Sequence, residues 1–209
     1  MVAAALLLIG TGLVVVGFRG HDRPLAGPVT HAGARAPHQS TVRPDSTTVS
    51  PVAARSVPVV LRIPAIGVTV SLSTLGLNPD GTVQVPTDFE QAGWFRLGPT
   101  PGQLGSAVIL GHVDSYKGPA VFFQLRSLVV GDQVDVSLAD GMTARFAVNW
   151  VAMYSKQEFP AQQVYASRGI SALQLVTCGG AFDTKTGSYL SNIVVYTSLV
   201  SIVPTTAGV

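Results

Sequence analysis

Sulfur is scarce in this chain: among 209 residues there is one cysteine, Cys178. A single cysteine excludes an internal disulfide framework and leaves the redox compartment open. Charge is scarce too. Asp, Glu, Lys and Arg make up 11%, and a mean hydropathy of +0.41 is too apolar for a disordered protein. Twenty-two glycines and fourteen prolines interrupt the apolar stretches too often for a multispanning membrane protein. The net charge of +2 is unevenly divided. Five Arg stand against two Asp from Arg19 to Arg55, whereas eight Lys/Arg face nine Asp/Glu from Ser56 onward. A region so near neutral offers no basic face for nucleic acid. There is no CxxC, HExxH or P-loop pattern, and no carboxylate cluster that argues for calcium, so neither metal nor cofactor is expected.

The one long apolar run is at the start. "MVAAALLLIGTGLVVVGF" carries no charge. As a helix it would span roughly 27 Å, close to the ~30 Å hydrocarbon core of a bilayer. Residues 1–18 are therefore expected to be an uncleaved membrane anchor. A cleaved signal peptide is the rival reading, but its small-x-small candidates (Ala32-Gly33-Ala34 and Ala34-Arg35-Ala36) lie well beyond the run. Arg19, Arg23 and Arg35 all follow it, an arrangement that by the positive-inside rule leaves the rest of the chain in the cytoplasm. A domain outside the cell then requires a short basic extension before Met1, which is the expectation here.

Residues 19–56 are rich in Pro, Ser, Thr, Gly and Ala and cannot bury enough surface to offset ordering entropy, which predicts a linker. His21, His31 and His38 fall in it and read as solvated residues, not as a metal site. From Val57 the texture changes to short β-like runs divided by turns: "VPVVLRI", "GVTVSLSTLGL", "TVQVP", "GSAVILGHV", "AVFFQL", "DQVDVSL", "TARFAVNWVAMY", "ALQLVTC" and "NIVVYTSLVSIV". Helical signal is confined to pieces such as "DFEQAGW" and "PAQQVYAS". Eight or so closely spaced strands without long helices predict a mainly β fold, a small closed barrel over residues 57–204.

Within that region there is one histidine, His112, and one cysteine, Cys178. Each ends an apolar run ("AVILGH", "LQLVTC") and each adjoins glycine. If the two strands are neighbours, both side chains emerge at one rim. A thiol beside an imidazole is what nucleophilic catalysis needs: the thiolate attacks, and the imidazolium gives a proton to the leaving group. Gly179 and Gly180 lack a Cβ, so a substrate can approach their N–H groups and find oxyanion donors there. The plain alternative is a buried structural cysteine and a hydrogen-bonded core histidine.

"LVTCGG" resembles the TLxTC signature of sortases, the cysteine transpeptidases that attach surface proteins to the Gram-positive envelope; Gln174 replaces the first Thr, while Leu175, Thr177 and Cys178 match. "AVILGHVDSYKGPAVFFQL" resembles the segment around the sortase histidine, and "QAGWFRLGPTPGQLGSAV" the stretch before it. The likeness covers nearly all of Val57 to Val203 and is greatest to actinobacterial class F (or class E) sortases. It implies an eight-stranded sortase barrel behind an N-terminal anchor, with Cys178 as nucleophile and His112 as general acid. It further implies Thr177, Gly179 and Asn192 as oxyanion or substrate-binding positions. The implied partners are surface proteins bearing a C-terminal sorting signal, a cell-wall precursor amine, and the plasma membrane through the N-terminal helix.

One departure stands out. Sortases carry an arginine on the strand after the cysteine loop, but the corresponding "GSYLSNIVVYT" has none; Leu190 or Asn192 occupies its place. Either Asn192 donates hydrogen bonds instead, or a remote Arg96 or Arg126 reaches the site. Asp114, two residues after His112, reads as a loop or turn residue. Two other functions stay open at this point: a cysteine peptidase in which water resolves the acyl-enzyme, and a catalytically weak envelope β-domain.

Overall fold

The computed structural model of the chain describes residues 55–166 and 169–205. The anchor expected over 1–18 and nearly all of the linker expected over 19–56 lie outside them. Among the described residues no helix is long and apolar enough to cross a membrane.

Period-two alternation builds the strands. In β1 (Pro58–Ile63), Leu61 and Ile63 are buried while Arg62 between them is exposed. Pro58 is tolerated as the first residue of the strand. Next come β2 (Val68–Leu75), β3 (Ala92–Phe95), β4 (Gly105–Gly111) and two short strands, β5 (Asp114–Ser115) and β6 (Gly118–Pro119). They are followed by β7 (Gln133–Leu138), β8 (Met142–Ser155), the five-residue helix α1 (Ala161–Tyr165), β9 (Ser171–Asp183) and β10 (Ser188–Pro204). Eight of these strands close into a barrel in the order β1-β2-β3-β4-β9-β10-β8-β7, and β5 pairs only with β6. The pairs β2/β3 and β4/β9 are parallel; the other six are antiparallel. The expected eight-stranded barrel is thus present.

An eight-stranded barrel has an interior just wide enough for side chains to fill. Here Leu61, Ile63, Ile109, Val136, Phe146 and Leu175 are among those that fill it, each with no exposed surface. A second apolar layer lies on the outside of the wall formed by β4, β9, β10 and β8. It comprises Val108, Val176, Val194 and Tyr196, capped by Val164 of α1.

Three expectations about local structure are corrected. "TVQVP" is not a strand: within it only Val83 makes a bridge, an isolated one to Leu77. "DFEQAGW" is not helical: Asp88–Gln91 forms a turn, and Ala92–Phe95 is β3, because Ala92, Gly93 and Trp94 must be buried between β2 and β4. "AVFFQL" is not a strand: it turns into a 3-10 segment at Leu125–Ser127 and inserts Phe122, Leu125 and Leu128 into the core. Its backbone still serves β4, since the Phe122 N–H donates to the His112 carbonyl at 2.9 Å. Gly111 makes this approach possible. A Cβ built there would stand 2.6 Å from Phe122 Cδ2 and 2.8 Å from Val121 Cγ1, closer than real atoms pack.

Gly111→Ala should accordingly overpack the junction that carries His112, at a cost of about 1–3 kcal/mol. A lowered urea midpoint with an unchanged m-value checks this; an unchanged midpoint contradicts it.

Candidate active site

Along β9, Leu173 and Leu175 face the barrel interior, so Gln174, Val176 and Cys178 face outward. Cys178 thus belongs to the outer layer, at the end where β9 leaves the apolar cluster; it is a free, half-buried thiol. In the parallel β4/β9 register Leu110 pairs with Val176. Two residues further along each chain stand His112, just past the end of β4, and Cys178, within β9, level with one another. Across the other edge of β9, Asn192 of β10 is the direct partner of Cys178, and Tyr154 of β8 is the partner of Asn192. Four neighbouring chain segments thus bring Tyr154, Asn192, Cys178 and His112 into one transverse row on the outer wall.

His112 is held from two sides. Its Nε2 lies 2.7 Å from the Pro86 carbonyl, and the Phe89 ring packs on it with centroids 4.5 Å apart. A carbonyl only accepts, so Nε2 carries the hydrogen and donates it, which leaves Nδ1 as the nitrogen not engaged by Pro86. Burial pushes the Cys178 thiol above its ordinary pKa; the Lys156 charge opposes that shift and the Asp114 charge adds to it. Asp114 accepts a hydrogen bond from the Tyr189 hydroxyl, joining β5 to the start of β10. That bond, followed by burial, raises the Tyr189 pKa. Lys156, in the 3-10 turn that follows β8, donates from Nζ to Ser188 Oγ at 2.8 Å.

The positions expected from sequence are distributed as follows. Asn192, and not Leu190, is the residue beside the cysteine: the pairing shifts between Tyr189 and Ser191, and this bulge turns Leu190 out to solvent. Gly179 pairs with Ser191, and a Cβ on it would lie 2.7 Å from Ile193 Cδ1. Gly180 has φ +78° and leads the chain out of the wall, a conformation that favours glycine. Thr177 does not present its side chain here; alternation turns it to the opposite face, where Oγ1 is buried without a hydrogen-bond partner. Arg96 is exposed beside Gly76. Arg126 lines a cavity of about 480 Å³ together with Met153, Gly180 and Ile193; Cys178 and His112 do not line it. Neither arginine is among the charges acting on Cys178. Asp114 is not a simple loop residue, since it forms the short strand pair with Pro119 and holds Tyr189.

Sequence reasoning missed Lys156, Tyr189 and the Pro86–Phe89 cradle. The cradle could have been sought in the proline and aromatic residue upstream of "QAGWF". Lys156 and Tyr189 read as ordinary surface residues until β8 and β10 are paired.

The family model of the sortase domain matches residues 61–200. Among solved structures, the chain is similar to sortase C-1 from Actinomyces oris at 22% identity, covering 69% of this chain and 75% of that one with a TM-score of 0.54. It is similar to a lid mutant of sortase A from Corynebacterium diphtheriae at 17% identity, with 71% and 73% covered and a TM-score of 0.54. For sortase A from Listeria monocytogenes the identity is 16%, with 73% and 92% covered and a TM-score of 0.54. These likenesses establish the fold. No curated protein matches the chain.

A thiol raised by burial is mostly protonated near neutrality, so its reactivity should climb with pH. Alkylation of Cys178 by iodoacetamide should be slower than that of free cysteine at pH 7 and rise about tenfold per pH unit through pH 8. Intact-mass kinetics check this, and a plateau below pH 8 would be the contrary result.

Proposed function

Because the chain belongs to the sortase family of cysteine transpeptidases, we propose that it is an envelope sortase of the class F (or class E) type, held in the plasma membrane by residues 1–18 with its barrel outside the cell. Its substrate is a surface protein with an LPxTG-like sorting signal. The Cys178 thiolate attacks the carbonyl carbon of the Thr–Gly bond, forming a C–S bond. The tetrahedral intermediate collapses with cleavage of C–N, and His112 delivers a proton from Nδ1 to the departing amine. An amine of a cell-wall precursor then attacks the thioester, forms the new amide and returns the sulfur. Asn192, facing the sulfur from β10, donates from its side-chain amide to the developing oxyanion, and the Gly179 N–H follows the sulfur as a second donor, its missing side chain serving the packing of Ile193 on the other face. Thr177 contributes through its backbone alone.

The observation that carries this reading is the shared level of His112, Cys178 and Asn192 on three adjacent chain segments. Local chemistry agrees with it. Pro86 and Phe89 hold the imidazole in one orientation, and the sulfur is half-buried and reachable.

Incubating the full chain with an LPxTG peptide should give a Cys178 thioacyl adduct by mass spectrometry, absent in Cys178→Ala. Adding an amine acceptor should divert the product from free acid to amide. Equal turnover to free acid with and without the amine would make the protein a hydrolase instead. Asn192→Ala should lower kcat for acylation by about 10²-fold, the size expected for one lost oxyanion donor. A kcat within a factor of two of the parent would remove Asn192 from the mechanism.

A further inference from the structure

We propose that Lys156 is a positioning cation for the nucleophile, a charge on the turn after β8 that stabilises the Cys178 thiolate from above the β9–β10 hairpin. This rests on the reading of Cys178 as the nucleophile. Ser155, the last residue of β8, pairs with Ser191, one residue from the Asn192 that faces the sulfur. Lys156 is the next residue, and its Nζ is anchored on Ser188 Oγ at 2.8 Å. Ser188 adjoins Tyr189, whose hydroxyl binds Asp114. Lys156 and Asp114 therefore reach the same end of β10 from opposite walls, one through the turn after β8 and the other through β5.

The groups around the thiol can be taken element by element. The end of β4 contributes His112, β5 contributes Asp114, β8 contributes Tyr154, and β10 contributes Tyr189 and Asn192. The turn after β8 contributes Lys156 together with Glu158, whose carboxylate accepts from Ser155 Oγ and is not among the charges acting on Cys178. Asn192 is neutral and Asp114 opposes a second anion. The fixed charge that favours a thiolate is Lys156, and its influence on Cys178 has that sign while Asp114's has the reverse. The ammonium is exposed, so its effect is modest and screened by salt. Ser188 compensates by limiting where the flexible side chain can go.

The test follows iodoacetamide alkylation of Cys178 in the full chain from pH 6 to 10 by intact mass, with no sorting peptide present. Lys156→Met should shift the profile to higher pH and slow alkylation at pH 7 roughly two- to fivefold at low salt. Lys156→Arg should restore the parent profile, and Asp114→Asn should shift it the other way. The gap between Lys156→Met and the parent should close in about 0.5 M salt. Superimposable profiles for Lys156→Met and the parent, with equal thermal midpoints showing both folded, overturn the proposal. So does failure of a folded Lys156→Arg to rescue. Because the readout is thiol ionisation, a shifted profile in a protein that never processes an LPxTG peptide would retain the role of Lys156 while removing the proposed sorting activity.

Discussion

The parallel pairing of β4 with β9 is the constraint on which the site depends. In an antiparallel pair the residues following the two strands leave at opposite ends of the sheet; in a parallel pair they leave at the same end. "AVILGH" and "LQLVTC" lie more than sixty residues apart, and both deliver their reactive residue immediately past an apolar run. Parallel alignment with Leu110 against Val176 converts that similarity in sequence into adjacency in space. A slip of one residue would turn Cys178 to the interior face and break the row with Asn192. The register is protected by burial on both faces of β9, where Leu173 and Leu175 fill the barrel and Val176 packs under α1.

The outward position of Cys178 follows from barrel size. Eight strands leave an interior that side chains fill, so a thiol that is to meet another molecule has to stand outside it. The 3-10 turn and α1 connect β8 to β9, and the β5–β6 pair follows His112. Burial partly desolvates the sulfur and so acts against the thiolate. These connecting segments carry the two charges that act on it in opposite directions. Lys156 and Asp114 come from opposite sides, both within reach of the first residues of β10.

Much of the barrel could be read from the sequence because alternation is strong wherever one strand face is core. β1, β2, β7 and β8 follow from it directly, whereas β10 shows as a continuous apolar run that is buried on both faces at residues 193–197. "AVFFQL" misled because an apolar run of that length fits a strand or a core-filling turn equally well, and only the close approach at Gly111 decides between them. "DFEQAGW" misled because its spacing suits a helix turn, while burial between two strands demands extended backbone. Cys178 and His112 stood out by rarity, by their place at the ends of apolar runs beside glycine, and by the sortase-like segments around them. The Asp114–Tyr189 bond and the Lys156–Ser188 bond were hidden because they join residues 75 and 32 positions apart and depend on a β10 bulge that no local pattern announces.

That bulge also bears on the missing arginine. It removes Leu190 from the pairing and leaves Asn192 as the residue opposite the sulfur, so the position can supply a hydrogen bond but no charge. A thiolate needs charge before the substrate is attacked, whereas an oxyanion needs a directed donor while it forms. On the proposed reading the two needs are met from different places: a directed donor inside the sheet at Asn192, and a cation on an exposed turn at Lys156. Only the second is open to salt. Ionic strength should therefore act on the readiness of the nucleophile and leave the geometry of the acylation step largely untouched, a separation that a single arginine performing both tasks would not allow.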